Sequence, residues 1–160
     1  MMEEVLAWIG TLPFALAIRR SATLYIFVNA AHILSFGILI GAILPLDLRL
    51  IGFFRKVPVA VVGPYLSHAA AVGVALTIVT GFGLFSVNPL EYAENPAFLT
   101  KVTLLALGVT NAALLHLTPQ WRAAVKGGPI SLRVRLSALL SIMVWTGAVV
   151  AGRWIGFLLE

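Results

Sequence analysis

Apolar residues are concentrated in four long stretches of the chain, separated by short segments that contain most of the charged residues. A helix needs roughly 20 mostly apolar residues to cross the hydrocarbon core of a bilayer. Four stretches meet this requirement, at about 22–44, 64–85, 97–117 and 136–158. The pattern therefore predicts an all-α integral membrane protein with a single domain, residues 1–160.

Helix-boundary residues support these four spans. Asn95 and Pro96 provide a favourable N-cap and first helical position for the third span. Pro64 is a natural start for the second span, and the Gly-Gly-Pro segment at 127–129 separates the third from the fourth. Because proline disfavours helix at the residue before it, we expect Pro45 to end or kink the first span.

Residues 1–20 contain a shorter apolar segment, which begins after Glu3 and Glu4 and ends at Arg19 and Arg20. About 14 apolar residues interrupted by a proline cannot cross a bilayer. The charges also run in the opposite order from those of a secretory signal, whose basic residues come first. We therefore expect an interfacial helix that lies on the membrane surface before the first span.

The composition agrees with a membrane protein and excludes several other classes. The chain is 61% hydrophobic and 11% charged, against about a quarter charged for a typical soluble domain. Its formal charge of +5 comes from scattered basic residues, which is not the clustered pattern of a nucleic-acid-binding protein. The absence of cysteine excludes disulfides, thiolate metal sites, iron–sulfur clusters and covalently attached haem.

Basic residues are more numerous on one side of the predicted bundle. The connections between spans one and two and between spans three and four carry Arg49, Arg55, Lys56, Arg122, Lys126, Arg133 and Arg135. The opposite side carries Arg19, Arg20, Lys101 and Arg153. Because basic loops favour the cytoplasm, this predicts a multi-pass inner-membrane protein with both termini in the periplasm.

Small residues recur at four-residue spacing in every predicted span. The pairs are Gly37 and Gly41, Gly73 and Thr77, Gly108 and Ala112, Gly147 and Ala151, and Gly152 and Gly156. Such spacing allows helices to approach closely within a membrane. Because the connections are short, we expect antiparallel neighbours and an up-down four-helix bundle.

The three histidines lie in three different predicted spans. With a rise of about 1.5 Å per residue, His116 and His68 lie about 28 Å and 26 Å from the outer face, whereas His32 lies about 15 Å from it. His116 and His68 therefore share a level near the cytoplasmic side. Two imidazoles at one depth on neighbouring helices are suited to bind haem iron from opposite faces.

The leading functional hypothesis is a small electron-transfer protein that binds haem b. His116 would be one axial ligand, with His68 as its preferred partner and His32 as the alternative. The expected partners are the lipid bilayer, a quinone or another membrane redox partner, and a second copy of the chain in a homo-oligomer. Nucleic acid is not an expected partner.

Other polar residues are first interpreted as structural. Asn29 lies one turn before His32, so an Asn–His pair on one helix face is expected. Asn111 is a further structural polar residue within the third span. Lys101 and Arg153 lie near span ends, where long basic side chains can extend outward to the headgroups.

Asp47 and Arg49 lie at the cytoplasmic end of the first span. They are two residues apart and do not face each other on a helix. We expect Asp47 to pair with Arg133 or Arg135 across the cytoplasmic end, as a structural clamp. This pattern does not decide whether the protein is an enzyme, and it assigns no catalytic residue.

Three alternatives to the haem hypothesis remain. A non-catalytic membrane subunit would use its polar residues only to hold helices together. A copper-handling protein could use imidazole and thioether ligands, although the chain has only three methionines and no cysteine. A small transporter is a third alternative, although no carboxylate lies within a span core.

Several strings of the sequence resemble an uncharacterised bacterial four-span inner-membrane family, a domain of unknown function of about this length. They are Asn29-x-x-His32, Asp47-Leu48-Arg49-Leu50-x-Gly52, Thr80-Gly81 with Leu84-Phe85, Tyr92-x-x-Asn95-Pro96-Ala97-Phe98-x-x-Lys101, Asn111 with His116, and Gly152-Arg153-Trp154-Ile155. In the pattern of that family, His32 and His116 are the usual histidines. A more distant likeness is to copper-resistance D-type proteins and small b-cytochrome membrane proteins, at the level of the fold alone.

Overall fold

The computed structural model describes residues 1–158, and within them the chain is helical with no strand. In chain order the helices are α1 (Met2–Ile9), α2 (Pro13–Arg20), α3 (Ala22–Ile51), α4 (Val59–Phe85), α5 (Pro89–Glu94), α6 (Pro96–His116), α7 (Pro119–Val125) and α8 (Leu132–Leu158). Helices α3, α4, α6 and α8 are long and apolar enough to cross a membrane. The predicted all-α four-helix membrane bundle is confirmed.

The four long helices are not packed equally against one another. α3 lies between α4 and α8, and α8 lies between α3 and α6. Although α4 and α6 are consecutive spans, their backbones have no extensive contact among the described residues. We call the end of the bundle that contains α5 the α5 end, and the opposite end, which contains α7, the α7 end.

Three span boundaries lie outside the predicted positions. α3 continues through Pro45 to Ile51, α4 begins at Val59 with Pro64 inside it, and α8 begins at Leu132. Both prolines are on the exposed surface of the bundle, so each ring displaces no neighbouring helix. Each proline removes one backbone hydrogen bond, and the packed face of the helix continues on either side of it.

The predicted N-cap of the third span is confirmed. The Asn95 Oδ1 accepts hydrogen bonds from the backbone N–H groups of Ala97 and Phe98, at 2.9 Å and 3.1 Å. These bonds satisfy two of the donors that every helix start leaves free. The beginning of α6 therefore agrees with the sequence pattern to within a residue.

The first 20 residues form two short helices rather than one. α1 and α2 are separated at residues 10–12. The side chain of Arg19, at the end of α2, donates to the carbonyl oxygen of Val87, with Nε at 2.8 Å. This bond fastens α2 to the connection between α4 and α5.

Glycines allow close helix contacts at two of the predicted positions. A Cβ added to Gly73 would lie 2.7 Å from the backbone nitrogen of Leu39, and one on Gly108 would lie 2.7 Å from the ring of Trp145. Gly37 and Gly41 have nothing within 4 Å of the corresponding position. The expected packing is therefore confirmed at Gly73 and Gly108, whereas Gly37 and Gly41 lie on an open face of α3 in this chain.

Candidate functional site

A cavity of about 630 Å³ lies between α4 and α6 in the half of the bundle nearest α7. This volume is in the range of cofactor and small-molecule sites. Leu39 and Ile43 of α3 and Trp145 of α8 contribute to its wall, and Trp121 of α7 lies at its end. The cavity lies between side chains of α4 and α6, two helices whose backbones have no extensive contact, with α3 and α8 forming its base.

His68 and His116 both line this cavity. The sequence predicted the same depth for both histidines, and in the structure both belong to the lining of the same cavity. The His116 Nδ1 lies 2.7 Å from the carbonyl oxygen of Ala112, and its ring centroid is 4.6 Å from that of Trp121. With Nδ1 donating to that carbonyl, the unprotonated ring nitrogen of His116 is Nε2.

Two further polar groups of the cavity wall are without hydrogen-bond partners in the described residues. They are the hydroxyl of Ser67 and the indole N–H of Trp145. Trp145 is 1% exposed. An unpaired buried donor costs free energy, so these atoms add polar character to a wall that is otherwise apolar.

Small side chains line both sides of the cavity. Ala70 and Ala71 of α4 and Ala112 and Ala113 of α6 all belong to its lining. These four residues leave more room between the helices than leucine or phenylalanine would leave. The sequence alone did not show that small residues of α4 and α6 line the same space.

His32 lies outside the lining of this cavity and forms different contacts. Its Nδ1 is 2.9 Å from the hydroxyl oxygen of Thr80, and its Nε2 is 3.4 Å from the Nζ of Lys101. The expected Asn29–His32 pair does not form in the described residues, because both ring nitrogens of His32 contact residues of other helices. His32 therefore links α3 to α4 and α6.

Lys101 points into the bundle rather than outward. Its Nζ lies 5.4 Å from the ring centroid of Phe36, and a Cβ on Gly152 would lie 3.3 Å from it. The expectation that Lys101 extends outward is therefore wrong, because the glycine leaves space for the ammonium group beside α8. Arg153 is exposed and lies over the ring of Phe157 at 4.9 Å, which agrees with an outward-directed side chain.

Asn111 has the structural role expected of it. Its Nδ2 donates to the carbonyl oxygen of Ser137 at 3.0 Å, and its Oδ1 accepts from the Ser137 hydroxyl at 2.9 Å. This pair of hydrogen bonds joins α6 to α8. It lies away from the residues that line the cavity.

Asp47 of α3 is 4% exposed, and its Oδ2 has no hydrogen-bond partner among the described residues. The expected ion pair with Arg133 or Arg135 is absent from the described residues. Both arginines are exposed and flank Val134, which is fully buried, so they point to either side of the face that α8 packs inward. The clamp that the sequence suggested is therefore wrong.

Arg49 stabilises the connection that follows α3. Its guanidinium donates to the carbonyl oxygens of Val57 and Arg55. At the same place, Gly52 ends the helix with a φ of 121°, a conformation that favours glycine. Arg49 therefore holds a loop and does not pair with Asp47, as the two-residue spacing indicated.

Aromatic side chains close the space between α4 and α6 at the α5 end. Phe85 and Phe98 stack with ring centroids 5.4 Å apart and an interplanar angle of 9°. Tyr92 of α5 packs against both rings, at 6.3 Å and 5.3 Å. Burial, followed by the neighbouring Tyr25, raises the pKa of Tyr92 to about 12.

The described residues contain no group of three or more histidine, cysteine, aspartate or glutamate side chains that could hold a metal ion. The cavity instead offers two imidazoles. Two protein ligands are sufficient for a metal ion whose other ligands belong to a cofactor, as the porphyrin nitrogens of haem iron do.

Comparison with known proteins gives one match. The model of a family of unknown function, DUF6644, matches residues 7–158. The chain belongs to DUF6644. This DUF6644 assignment confirms the coarse form of the resemblance in the sequence, a family of unknown function, and the matched residues include the four long apolar helices of this chain. No curated protein and no solved structure matches the DUF6644 chain.

Proposed function

We propose that this protein is a small b-type haem-binding protein that transfers electrons within a membrane. The haem would occupy the cavity between α4 and α6, and His68 and His116 would be the residues that hold its iron. The observation that carries the proposal is that these two imidazoles, from separate spans, line one cavity of cofactor size. Bound haem would supply a one-electron ferric–ferrous couple.

The hydrogen bonding of His116 is suited to metal ligation. Histidines that bind metals usually donate their other ring N–H to a carboxylate, a carbonyl oxygen or water. The bond from His116 Nδ1 to the carbonyl oxygen of Ala112 meets this condition, and contact with Trp121 holds the ring in place. Nε2 then remains as the ligand atom.

The contacts of His32 favour His68 as the partner of His116. Both nitrogens of His32 contact neighbouring side chains, and His32 is outside the cavity lining. No hydrogen bond from another described residue engages the exposed side chain of His68. In this proposal, His32 supports the bundle and is not an axial ligand.

We further propose the orientation that the distribution of basic residues favours. Both termini would lie in the periplasm of a bacterial cell, and the α7 end would face the cytoplasm. A quinone or another membrane redox partner would then exchange electrons with the haem. Cysteine-scanning with a membrane-impermeant reagent tests the orientation, and labelling at the α7 end of intact spheroplasts would contradict it.

Haem content of histidine variants tests the ligand assignment. Wild type, His68→Ala, His116→Ala and His32→Ala are purified after expression with added haem precursor, and the haem bound per chain is measured. We expect about one haem in wild type and His32→Ala, with loss or a high-spin spectrum in the other two. The three variants each remove one imidazole, so His32→Ala is the matched control.

Three outcomes would contradict the proposal. Full haem content in both His68→Ala and His116→Ala would exclude these residues as ligands. Loss of haem in His32→Ala and His116→Ala alone would assign the alternative pair. A protein without haem whose variants change only in thermal stability would instead support a non-catalytic membrane subunit.

A further inference from the structure

A groove of about 480 Å³ lies on the outer surface of the bundle where α8 meets α6, at the α7 end. It is lined by Asn111, Leu132, Arg133, Leu136, Ser137 and Leu140. The three leucines recur at four-residue spacing, so they form an exposed stripe about 12 Å long on α8. We call this groove the Arg133 groove, because the arginine lies at its outer end. It shares no lining residue with the cavity that contains His68 and His116.

The outer end of the Arg133 groove lies at the level of the lipid headgroups. α8 has 27 residues and is about 40 Å long, so about 5 Å of it extends beyond a 30 Å hydrocarbon core at each end. Arg133 is the second residue of α8 and lies in this outer part. A count along α6 agrees. Asn111 lies about 7.5 Å inside the end of α6, and Arg133 lies about 6 Å further out than Ser137, to which Asn111 is bonded.

The charge of Arg133 is not neutralised by another described residue. The one ion pair in that part of the chain joins the N-terminal amino group to Glu4. The first turn of α8 contains no acidic residue, although the start of a helix has a positive potential that an acid would offset. Arg49 and Arg122, at the same end of the bundle, donate to backbone carbonyl oxygens of their own connections. Arg133 instead lines an open groove, where an anion from outside the chain can reach it.

Asn111 and Ser137 form the polar part of the Arg133 groove, about one helical turn further into the bilayer. The Asn111 Nδ2 donates to the carbonyl oxygen of Ser137 at 3.0 Å, and its Oδ1 accepts from the Ser137 hydroxyl at 2.9 Å. A side-chain amide has two N–H donors, and these bonds use one of them. The second donor is therefore free to bond an acceptor that enters the groove, such as an ester carbonyl oxygen just below a headgroup.

We propose that the Arg133 groove binds one anionic phospholipid. The lipid phosphate lies on the Arg133 guanidinium, and an acyl chain lies along Leu136 and Leu140. A guanidinium can bind phosphate through two parallel N–H donors, and bonds between charged groups are the stronger ones. The order of chemistry along the groove, a cation, then an amide, then leucines, is that of a phospholipid from headgroup through ester to acyl chain. A soluble anion would use only the first of these.

Lipid-dependent thermal unfolding of the full chain in detergent tests this proposal. Phosphatidylglycerol, phosphatidylcholine and inorganic phosphate are titrated separately at constant ionic strength. We expect phosphatidylglycerol to raise the unfolding midpoint of wild type, because a ligand that binds the folded state stabilises it. Arg133→Gln should need about tenfold more of this lipid for half of the effect. An equal response to phosphatidylcholine, a response to inorganic phosphate alone, or no response to phosphatidylglycerol would each overturn the proposal.

Arg135→Gln is the matched control, because Arg135 is exposed, lies about 3 Å further along α8 and is not part of the groove lining. It removes the same charge and should change the lipid requirement by less than about twofold. Equal weakening in Arg133→Gln and Arg135→Gln would indicate general attraction to basic residues and overturn the site. Leu136→Ala keeps every charge but shortens the apolar wall, so it should also weaken the response to phosphatidylglycerol; an unchanged response would contradict the acyl-chain contact. None of these residues lines the histidine cavity, so the measurements do not depend on haem content.

Discussion

The two halves of the space between α4 and α6 contain histidines in opposite situations. In the half near α5, the Phe85–Phe98 stack closes the space, and His32 is held by Thr80 and Lys101. In the half near α7 the helices separate, and His68 and His116 line a cavity.

This difference separates a structural histidine from candidate ligand histidines. An imidazole whose two nitrogens both contact side chains of other helices holds those helices together. An imidazole on a cavity wall with an available nitrogen can bind something that enters the cavity. All three are histidines, and the depth of His32 differs from that of His68 and His116 without showing what it does, so the contacts of the ring nitrogens make the distinction.

The largest expected effect is the difference in stability between a substitution on the packed face of α4 and one on its cavity face. Gly73→Ala should lower the free energy of unfolding by about 3 kcal/mol, since the new methyl group would lie 2.7 Å from the backbone of Leu39. The side chain at position 71 lines the cavity, so Ala71→Leu should change the free energy of unfolding by no more than about 0.5 kcal/mol. Equilibrium unfolding in mixed micelles measures both, and equal losses would contradict the difference between the faces.

A smaller effect compares two histidines in protein free of haem. His32→Ala should lower the free energy of unfolding by about 1–2 kcal/mol, because Lys101 and Thr80 lose a hydrogen-bond partner. His68→Ala should change it by less than about 0.5 kcal/mol, since its side chain is exposed. A greater loss in His68→Ala than in His32→Ala would reverse the comparison.

The last comparison concerns the aromatic closure at the α5 end and depends on pH. The pKa of Tyr92 is about 12 in the folded chain and about 10 in an unfolded one, so folding favours the protonated phenol. This stabilisation is complete below about pH 10 and is lost as the pH rises toward about 12. Tyr92→Phe should therefore be less sensitive than wild type to pH over this interval, and identical pH profiles would contradict the assignment.

Much of the fold could be predicted, because each span is encoded locally. The apolar stretches and the Asn95–Pro96 start of α6 need no information from elsewhere in the chain. The end of α3 and the start of α4 were harder to predict, because Pro45 and Pro64 are residues that typically interrupt a helix. Both prolines lie on the exposed surface. Whether a proline interrupts a helix depends on what surrounds it.

The sequence predicted the depth of the candidate-site residues in the membrane, but not which of them lie beside one another at that depth. Helical rise alone put His68 and His116 at one level. That they line a single cavity follows from the separation of α4 and α6, which no single helix encodes. Lys101 was missed for the same reason, because the space for its ammonium group is provided by Gly152 of another helix.

The absorption spectrum of the purified wild-type chain tests the central claim most directly. The protein is expressed with added haem precursor, separated from free haem by gel filtration, and recorded in oxidised and reduced forms. The account predicts a Soret band that co-elutes with the protein and the low-spin spectrum of iron with two imidazole ligands. A folded protein that remains colourless, even after reconstitution with haem, would contradict it.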